Sequence, residues 1–212
     1  MAGQRARELR AAGRDILGLT AGEPDFETPE HIKEAAIRAM AAGQTRYTDV
    51  GGTPALKEAI SGKFLTENGL AYAPGEIIVG TGAKQVIFNA LMCTVAAGDE
   101  VIVPAPYWVS YPDIALLAGG VPVFVDCPAT SGFKLQPADL ERAISPRTRW
   151  LMLNSPNNPS GATYTRTELQ ALAEVLRRHP HVWVLTDDIY EHILYDGRQF
   201  ATMAQVAPDL KA

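Results

Sequence analysis

Four short polar stretches, each following an apolar run, contain the residue types that could do chemistry. They are VGTGAKQ (79–85), APYWVSY (105–111), LNSPNNPSGATYT (153–165) and TDDIY (186–190). Rigid loops at the carboxyl ends of strands are where open α/β sheets bind ligands, so residues in these positions can act together on one molecule. Each stretch would supply a different kind of contact.

The first stretch has the composition of an anion-binding turn. Gly80 and Gly82 follow a predicted strand, and a helix is predicted to begin at once. Free backbone N–H groups and the positive end of the helix would then face a phosphate. The turn matches neither the GxGxxG nor the P-loop pattern. A tight turn that simply needs its two glycines is the alternative interpretation.

The next two stretches contain side chains that suit a flat polar ligand. Trp108 comes just past a predicted strand, where it would either stack on an aromatic ring or fill the core. Asn158 offers an amide that both donates and accepts hydrogen bonds, which suits a phenolic oxygen or a carboxylate. Pro156 and Pro159 restrict the backbone around it. An ordinary loop also needs turn residues, so a purely structural loop remains an alternative.

The last stretch places a carboxylate at the end of a buried strand. An unpaired Asp187 would be costly there, so it should have a cationic or hydrogen-bonding partner, unless it is the N-cap of a helix. Tyr190 adds a hydroxyl three residues later. Together the four stretches describe a ligand with a phosphate, a flat ring, a ring cation and a phenolic oxygen. Pyridoxal 5′-phosphate (PLP) has all four, and its protonated ring favours carbanion chemistry at an amino acid's α-carbon.

The elements that must position these residues follow a regular alternation from residue 76 onward. Two earlier helices are predicted to start at Thr28-Pro29 and at Thr53-Pro54, with Gly69 ending the second. Predicted strands then cover 76–80, 100–106, 121–127, 149–154 and 181–188, and predicted helices cover 83–96, 108–118, 137–144 and the run from 166. Apolar strands without polar alternation are typical of a sheet covered on both faces. We therefore predict an α/β fold, a three-layer αβα architecture with a mainly parallel sheet.

The composition excludes several other classes of protein. The chain has 212 residues, 47% of them hydrophobic and 20% charged, which is typical of a globular domain. A net charge of −5 without a basic stripe argues against a nucleic-acid partner, and no apolar run is long enough for a membrane span. Cys93 and Cys127 have no metal-binding spacing, so we expect reduced, structural cysteines, no metal and a cytoplasmic location.

The quoted motifs resemble those of a known family. AGEPDFETPEHI, RYTDVGGTPALKEAI, GTGAKQ, PAPYWVSYP, NSPNNPSG and TDDIYEHILY occur in the family's order and extend over nearly the whole chain. The sequence is similar to the large domain of fold type I PLP enzymes, specifically the class I aminotransferases of the aspartate aminotransferase group. The resemblance implies an enzyme that moves an amino group between an L-amino acid, with aspartate as the first choice, and a 2-oxo acid.

The resemblance also implies a role for each matched residue. The cofactor contacts would be Gly82, Ala83 and Lys84 for the phosphate, Trp108 for the ring face, Asp187 for the ring nitrogen, and Asn158 and Tyr190 for the phenolic oxygen. Gly22, with Trp108 and Asn158, matches the part that meets the substrate's α-carboxylate. Tyr47 matches a tyrosine that reaches the phosphate of the neighbouring subunit's cofactor, which implies a homodimer.

One catalytic group of the family has no match in this sequence. The family's Schiff-base lysine lies in an S-x-x-K setting roughly thirty residues beyond the ring-nitrogen aspartate, which is past Ala212. None of the six lysines has that setting. We therefore expect residues 1–20 to be a partial N-terminal segment and residues 21–212 to be a truncated PLP-binding large domain. The small domain and the arginine that grips the substrate carboxylate would be absent.

Three alternatives to an aminotransferase remain open on this evidence. Another reaction on the same fold, such as β-elimination or decarboxylation, would use nearly the same cofactor motifs. A non-enzymatic aminotransferase-like domain of a transcription regulator would need a winged-helix segment upstream, for which residues 1–20 are too short. A dinucleotide-binding module is disfavoured because the sequence lacks GxGxxG.

Overall fold

The computed structural model describes residues 2–17, 22 and 26–211, which divide into the units Met1–Thr48 and Asp49–Ala212. The first unit contains helices α1 (Ala2–Ala11) and α2 (Glu30–Ala41). The predicted start of α2 at Thr28-Pro29 was wrong: Pro29 is extended, with ψ 139°, and it occupies the N-cap position without a side-chain hydrogen bond. The backbone therefore becomes helical only at Glu30.

The second unit is built around four parallel strands. They are β1 (Glu100–Ala105), β2 (Val121–Asp126), β3 (Thr148–Asn154) and β4 (Trp183–Asp187), in the spatial order β2-β1-β3-β4. From β1 the chain first moves outward to β2 and then returns to the other side of β1 to form β3. The order in which strands are added to the sheet thus reverses between β1 and β3, although all four strands stay parallel. Open α/β sheets bind ligands at such a point.

Helices cover both faces of this sheet. On one face lie α4 (Ala83–Thr94) and α5 (Ser110–Leu117); on the other lie α6 (Pro137–Ala143), α7 (Arg166–Arg177) and α8 (Met203–Val206). Successive residues of β1 pack alternately into the two cores: Val101 and Val103 with α4 and α5, and Ile102 with α6 and α7. All three are 0% exposed. The predicted three-layer αβα fold is therefore confirmed.

The residues predicted to begin and end the helix before α4 are also confirmed. Helix α3 (Pro54–Asn68) begins with the Thr53 hydroxyl accepting the Leu56 N–H at 3.4 Å. It ends at Gly69, whose φ of 64° lies in the left-handed region. No helix among residues 2–17, 22 and 26–211 has both the length and the apolar character needed to cross a bilayer.

The predicted strand over residues 76–80 was wrong. Pro74–Glu76 forms a 3₁₀ turn, and the residues from Ile77 to Gly80 belong to no strand. A strand is defined by a continuous ladder to a neighbour, whereas here the Val79 N–H makes a single loop contact, with the Gly51 carbonyl at 3.0 Å. The apolar composition of residues 76–80 predicted a buried, extended segment. Whether such a segment pairs as a strand depends on a second segment elsewhere in the chain, which the local sequence does not reveal.

The cores make a quantitative prediction about stability. Leu172 in α7 is 0% exposed, so Leu172→Ala should lower the free energy of unfolding by about 2–5 kcal/mol through lost burial and a residual cavity. Leu116→Ala in α5 is the control, because that side chain is 58% exposed and its loss should cost no more than about 0.5 kcal/mol. Urea unfolding of the 212-residue chain measures both. Equal losses for the two variants would contradict the assignment of the core.

Candidate cofactor-binding site

A cavity of about 280 Å³ lies at the carboxyl edge of the sheet. It is lined by Gly82, Ala83, Lys84, Trp108, Tyr111, Asn154, Asn158, Asp187, Ile189 and Tyr190. The structure thus brings together seven of the eight residues that the sequence resemblance associates with a cofactor; Tyr47 is the eighth. Three further residues, Tyr111, Asn154 and Ile189, were not predicted.

The glycine turn before α4 has the shape that an anion site needs. Gly82 has a φ of 88°, and a Cβ on Gly80 would come within 2.7 Å of Val86 Cγ2, so both positions require glycine. The Gln85 side chain accepts the Thr81 N–H. Because the first N–H groups of a helix have no partner within it, the start of α4 presents donors at the cavity wall. The structural and the functional interpretations of these glycines are therefore compatible.

Two cavity residues combine a positive charge with an aromatic face. The Lys84 ammonium lies 4.9 Å from the centre of the Trp108 ring. Trp108 packs edge-to-face on Tyr111, with ring centres 5.4 Å apart. The indole is partly buried against the core beside α4 and α5, and it also lines the cavity. Trp108 therefore both packs against the core and offers a ring face to the cavity, as the two interpretations of its sequence position predicted.

Asp187 has the hydrogen-bonding partner that its position at the end of a strand predicted. The Tyr111 hydroxyl donates to Asp187 Oδ2 at 2.7 Å, and the Ile189 N–H approaches Oδ1 at 3.4 Å. The residues after Asp187 form turns rather than a helix, so Asp187 is not a helix N-cap. Both carboxylate oxygens are thereby oriented by neighbouring donors.

Tyr111 acts as a donor in this contact at all physiological pH values. Burial raises the pKa of its hydroxyl far above the ordinary value, and the negative charge of Asp187 raises that pKa further. The ring is 3% exposed. A hydroxyl that keeps its proton gives the Asp187 carboxylate a permanent hydrogen bond.

Asn154 connects the two loops that border the cavity. The register of β3 and β4 places it beside Asp187, and its Nδ2 donates to the Asp187 carbonyl at 2.7 Å. Its Oδ1 accepts the Asn158 N–H at 2.7 Å. One buried amide therefore fixes Asn158 relative to Asp187.

The loop after β3 is held mainly by its own side chains. Asn157 Oδ1 accepts from both the N–H and the hydroxyl of Ser160, and the Gly161 N–H donates to the Asn157 carbonyl. The Ser155 hydroxyl accepts the Tyr164 N–H at 3.2 Å. This network gives Asn158, which lies in the middle of the loop, a defined position at the cavity.

The two remaining predicted site residues belong to the unit Met1–Thr48. Gly22 and Tyr47 are both exposed. Ala21 and residues 23–25 of the AGEPDF motif lie outside the described residues. The roles in substrate and partner-subunit contacts stay predictions.

Sequence comparison identifies the family. Residues 14–212 match the family model for aminotransferase class I and II. The chain therefore belongs to the class I and II aminotransferase family.

Individual relatives agree with this assignment. The chain is 61% identical to an aspartate/prephenate aminotransferase of Cereibacter sphaeroides, with 97% of this chain and 52% of that protein aligned. A crystal structure of the aspartate aminotransferase from Rhizobium meliloti is 56% identical, with a TM-score of 0.96 over 99% of this chain and 52% of that one. The structure of the aspartate aminotransferase from Thermus thermophilus with maleate shares 50% sequence identity with this chain. Its TM-score is 0.92, over 97% of this chain and 53% of that one. The chain spans about half the length of the curated relatives it matches.

Asp188, next to Asp187 but outside the cavity lining, has an unusual acidity. Burial raises the pKa of its carboxyl group to about 6, and the charges of Asp187 and Glu191 act in the same direction. The unfolded-state pKa is about 3.9, so the folded state holds this proton more tightly. The contribution of Asp188 to stability is therefore fully present below about pH 4 and is lost as the pH rises through about 6.

Asp188→Asn should remove this pH dependence. Above pH 6 the variant should be more stable than the parent chain by roughly 2–3 kcal/mol, because it does not bury a charge, and the difference should fade towards pH 4. Urea unfolding at pH 4.5 and pH 7.5 measures it. Asp126→Asn, at the exposed end of β2, is the control for the loss of one carboxylate and should change the free energy of unfolding by no more than about 0.5 kcal/mol. Parallel profiles for Asp188→Asn and the parent chain would contradict the assigned cause.

Proposed function

We propose that the cavity binds PLP and that this chain is the cofactor-binding part of a longer aminotransferase. The observation that carries the proposal is the convergence on a single cavity of seven of the eight resemblance-predicted cofactor contacts, which come from the start of α4, from the end of β4 and from the loops after β1, β3 and β4. The proposed reaction transfers an amino group between an L-amino acid and a 2-oxo acid.

The cavity fits each chemical feature of PLP. Its volume is near the lower end of the range for small-molecule sites, about 300 Å³. The start of α4 and Lys84 would bind the phosphate, and Trp108 would pack on the ring. Asn158 and Tyr190 would hydrogen-bond to the phenolic oxygen.

Asp187 would hold a proton on the ring nitrogen, because a carboxylate favours the charged form of a neighbouring base. Bound there, PLP would supply the electron-withdrawing ring that stabilises a carbanion at an amino acid's α-carbon. Tyr111 and Ile189 keep the carboxylate oriented for this contact. Asn154 keeps the backbones of Asp187 and Asn158 in a fixed relation, so the contacts to the ring nitrogen and to the phenolic oxygen would be set together.

The names of the relatives support the choice of substrates. We propose aspartate with 2-oxoglutarate as the first pair, and prephenate as a second amino acceptor, because similar proteins are named aspartate/prephenate aminotransferases. Gly22, Trp108 and Asn158 are the proposed contacts of the substrate α-carboxylate. A homodimer in which Tyr47 reaches the partner's cofactor, and a cytoplasmic location, are further parts of the proposal.

Asp187→Asn in the longer protein should reduce kcat/KM for transamination at least about 100-fold, which corresponds to about 2.7 kcal/mol. Asparagine cannot stabilise the ring proton by charge, and PLP should also bind more weakly. Steady-state assays with aspartate and 2-oxoglutarate measure the effect. Asp126→Asn is the matched control, since Asp126 also ends a strand of the same sheet but lies outside the cavity lining. Near-normal turnover by Asp187→Asn would show that Asp187 is structural, and α-decarboxylation or β-elimination by the unmodified protein would overturn the proposed reaction.

The 212-residue chain by itself should bind PLP weakly and should not transaminate. Lys84 is the lysine that lines the described cavity, and the proposal assigns it to the phosphate. Visible spectra with PLP, recorded before and after borohydride and followed by peptide mapping, measure covalent attachment. Lys84→Met should weaken PLP binding, whereas Lys33→Met in α2 should not. Reduction of PLP onto one specific lysine, together with turnover of aspartate, would contradict this prediction.

A further inference from the structure

The turn that contains Tyr190 lies outside the sheet. Residues 189–192 form this turn, which has two local backbone hydrogen bonds: the Glu191 N–H to the Asp188 carbonyl at 3.0 Å and the Ile193 N–H to the Tyr190 carbonyl at 2.8 Å. These bonds set its internal shape, and the Ile189 N–H, 3.4 Å from Asp187 Oδ1, attaches only the start of the turn to the end of β4. The position of the Tyr190 side chain at the cavity therefore depends on contacts from elsewhere in the turn.

Glu191 provides such a contact. Its side chain is 16% exposed, and its two oxygens accept from Lys63 Nζ and from Asn68 Nδ2, the latter at 3.0 Å. Lys63 Nζ also donates to Asn68 Oδ1 at 2.8 Å, so the three side chains form a closed set. We call Lys63, Asn68 and Glu191 the α3 clamp, because the first two lie in the last two turns of α3.

The α3 clamp is also attached to helix α8. Asn68 is 7% exposed, and its carbonyl accepts from Gln205 Nε2 in α8 at 2.7 Å. The end of α3 thus contacts both the Tyr190 turn and α8. An anchor with support from two directions restricts the turn more than an isolated surface ion pair would.

The charge of Glu191 is stabilised where it lies. Burial opposes ionisation of its carboxyl group, but the hydrogen bonds from Lys63 and Asn68 outweigh it and lower the pKa below the ordinary value. Glu67 and His192 lie at the exposed rim, with His192 Nε2 3.3 Å from Glu67 and 3.4 Å from Glu191. These three side chains could share a cation, but the Lys63 ammonium already neutralises the Glu191 carboxylate.

We propose that Glu191 is a positioning residue for Tyr190. By attaching the turn to α3, the α3 clamp holds Tyr190 at the cavity that Asp187 also lines from the end of β4. The inference rests on the proposed function, since the place of Tyr190 has a chemical consequence only if the cavity holds PLP.

The test uses Glu191→Gln, Tyr190→Phe and the double variant in the longer protein. A glutamine amide has one oxygen, so either Lys63 or Asn68 loses its acceptor and the turn loosens. The readouts are the pH dependence of the visible spectrum of bound PLP and the PLP dissociation constant. Each single variant should shift the spectral transition in the same direction, and Glu191→Gln should weaken PLP binding about three- to tenfold. The double variant should resemble Tyr190→Phe alone, because both changes act through one hydroxyl.

Two further variants separate positioning from loss of folding. Lys63→Met removes the opposite partner and should reproduce the spectral shift, so the test does not depend on the yield of one protein. Glu58→Gln is the control, because this exposed side chain lies in the same helix but outside the α3 clamp, and its change should leave the spectrum unchanged. An unchanged spectrum in Glu191→Gln, or additive effects in the double variant, would overturn the positioning role alone. An unchanged spectrum in Tyr190→Phe would overturn it together with the proposed contact of Tyr190.

Discussion

The pairing of β3 with β4 is the constraint on which the rest of the site depends. Its register sets Asn154 beside Asp187, and the Asn154 amide then determines where the loop of Asn158 begins. Tyr111, at the start of α5, donates a hydrogen bond to the Asp187 carboxylate. The polar groups of the cavity hydrogen-bond to one another and are also positioned by the backbone. Their arrangement is therefore rigid although they come from different strands, helices and loops.

Burial on both faces explains why the sheet and its edge chemistry occur together. The two central strands, β1 and β3, carry mostly apolar residues at successive buried positions, so their polar residues lie near the strand ends. Asn154 and Asp187 both occupy such end positions. The chemistry at the edge is therefore a consequence of how the sheet excludes water along its length.

The sequence predicted the strands and helices of the αβα layers because apolar runs and capping residues act locally. It failed at residues 76–80, where pairing depends on a remote neighbour, and at Thr28, where the extended Pro29 delays the helix. The cavity residues Trp108, Asn158 and Asp187 were predictable from their places at or just after strand ends, and Gly82 was predictable from its place before a helix. Tyr111 was not, since its partner lies 76 residues away, although its spacing of three from Trp108 would place both side chains on one side of a helical turn.

That separation of 76 residues also bears on how the site comes into existence. Contacts between distant parts of a chain require the closure of long loops, so they form late relative to local helices and they slow folding. A ligand that binds only the assembled cavity shifts the folding equilibrium by mass action, by an amount that grows with its concentration. Occupancy of this cavity would consequently report on whether β1, β3 and β4 have assembled with the start of α4, and the supply of ligand would influence how much of the chain persists in the folded state.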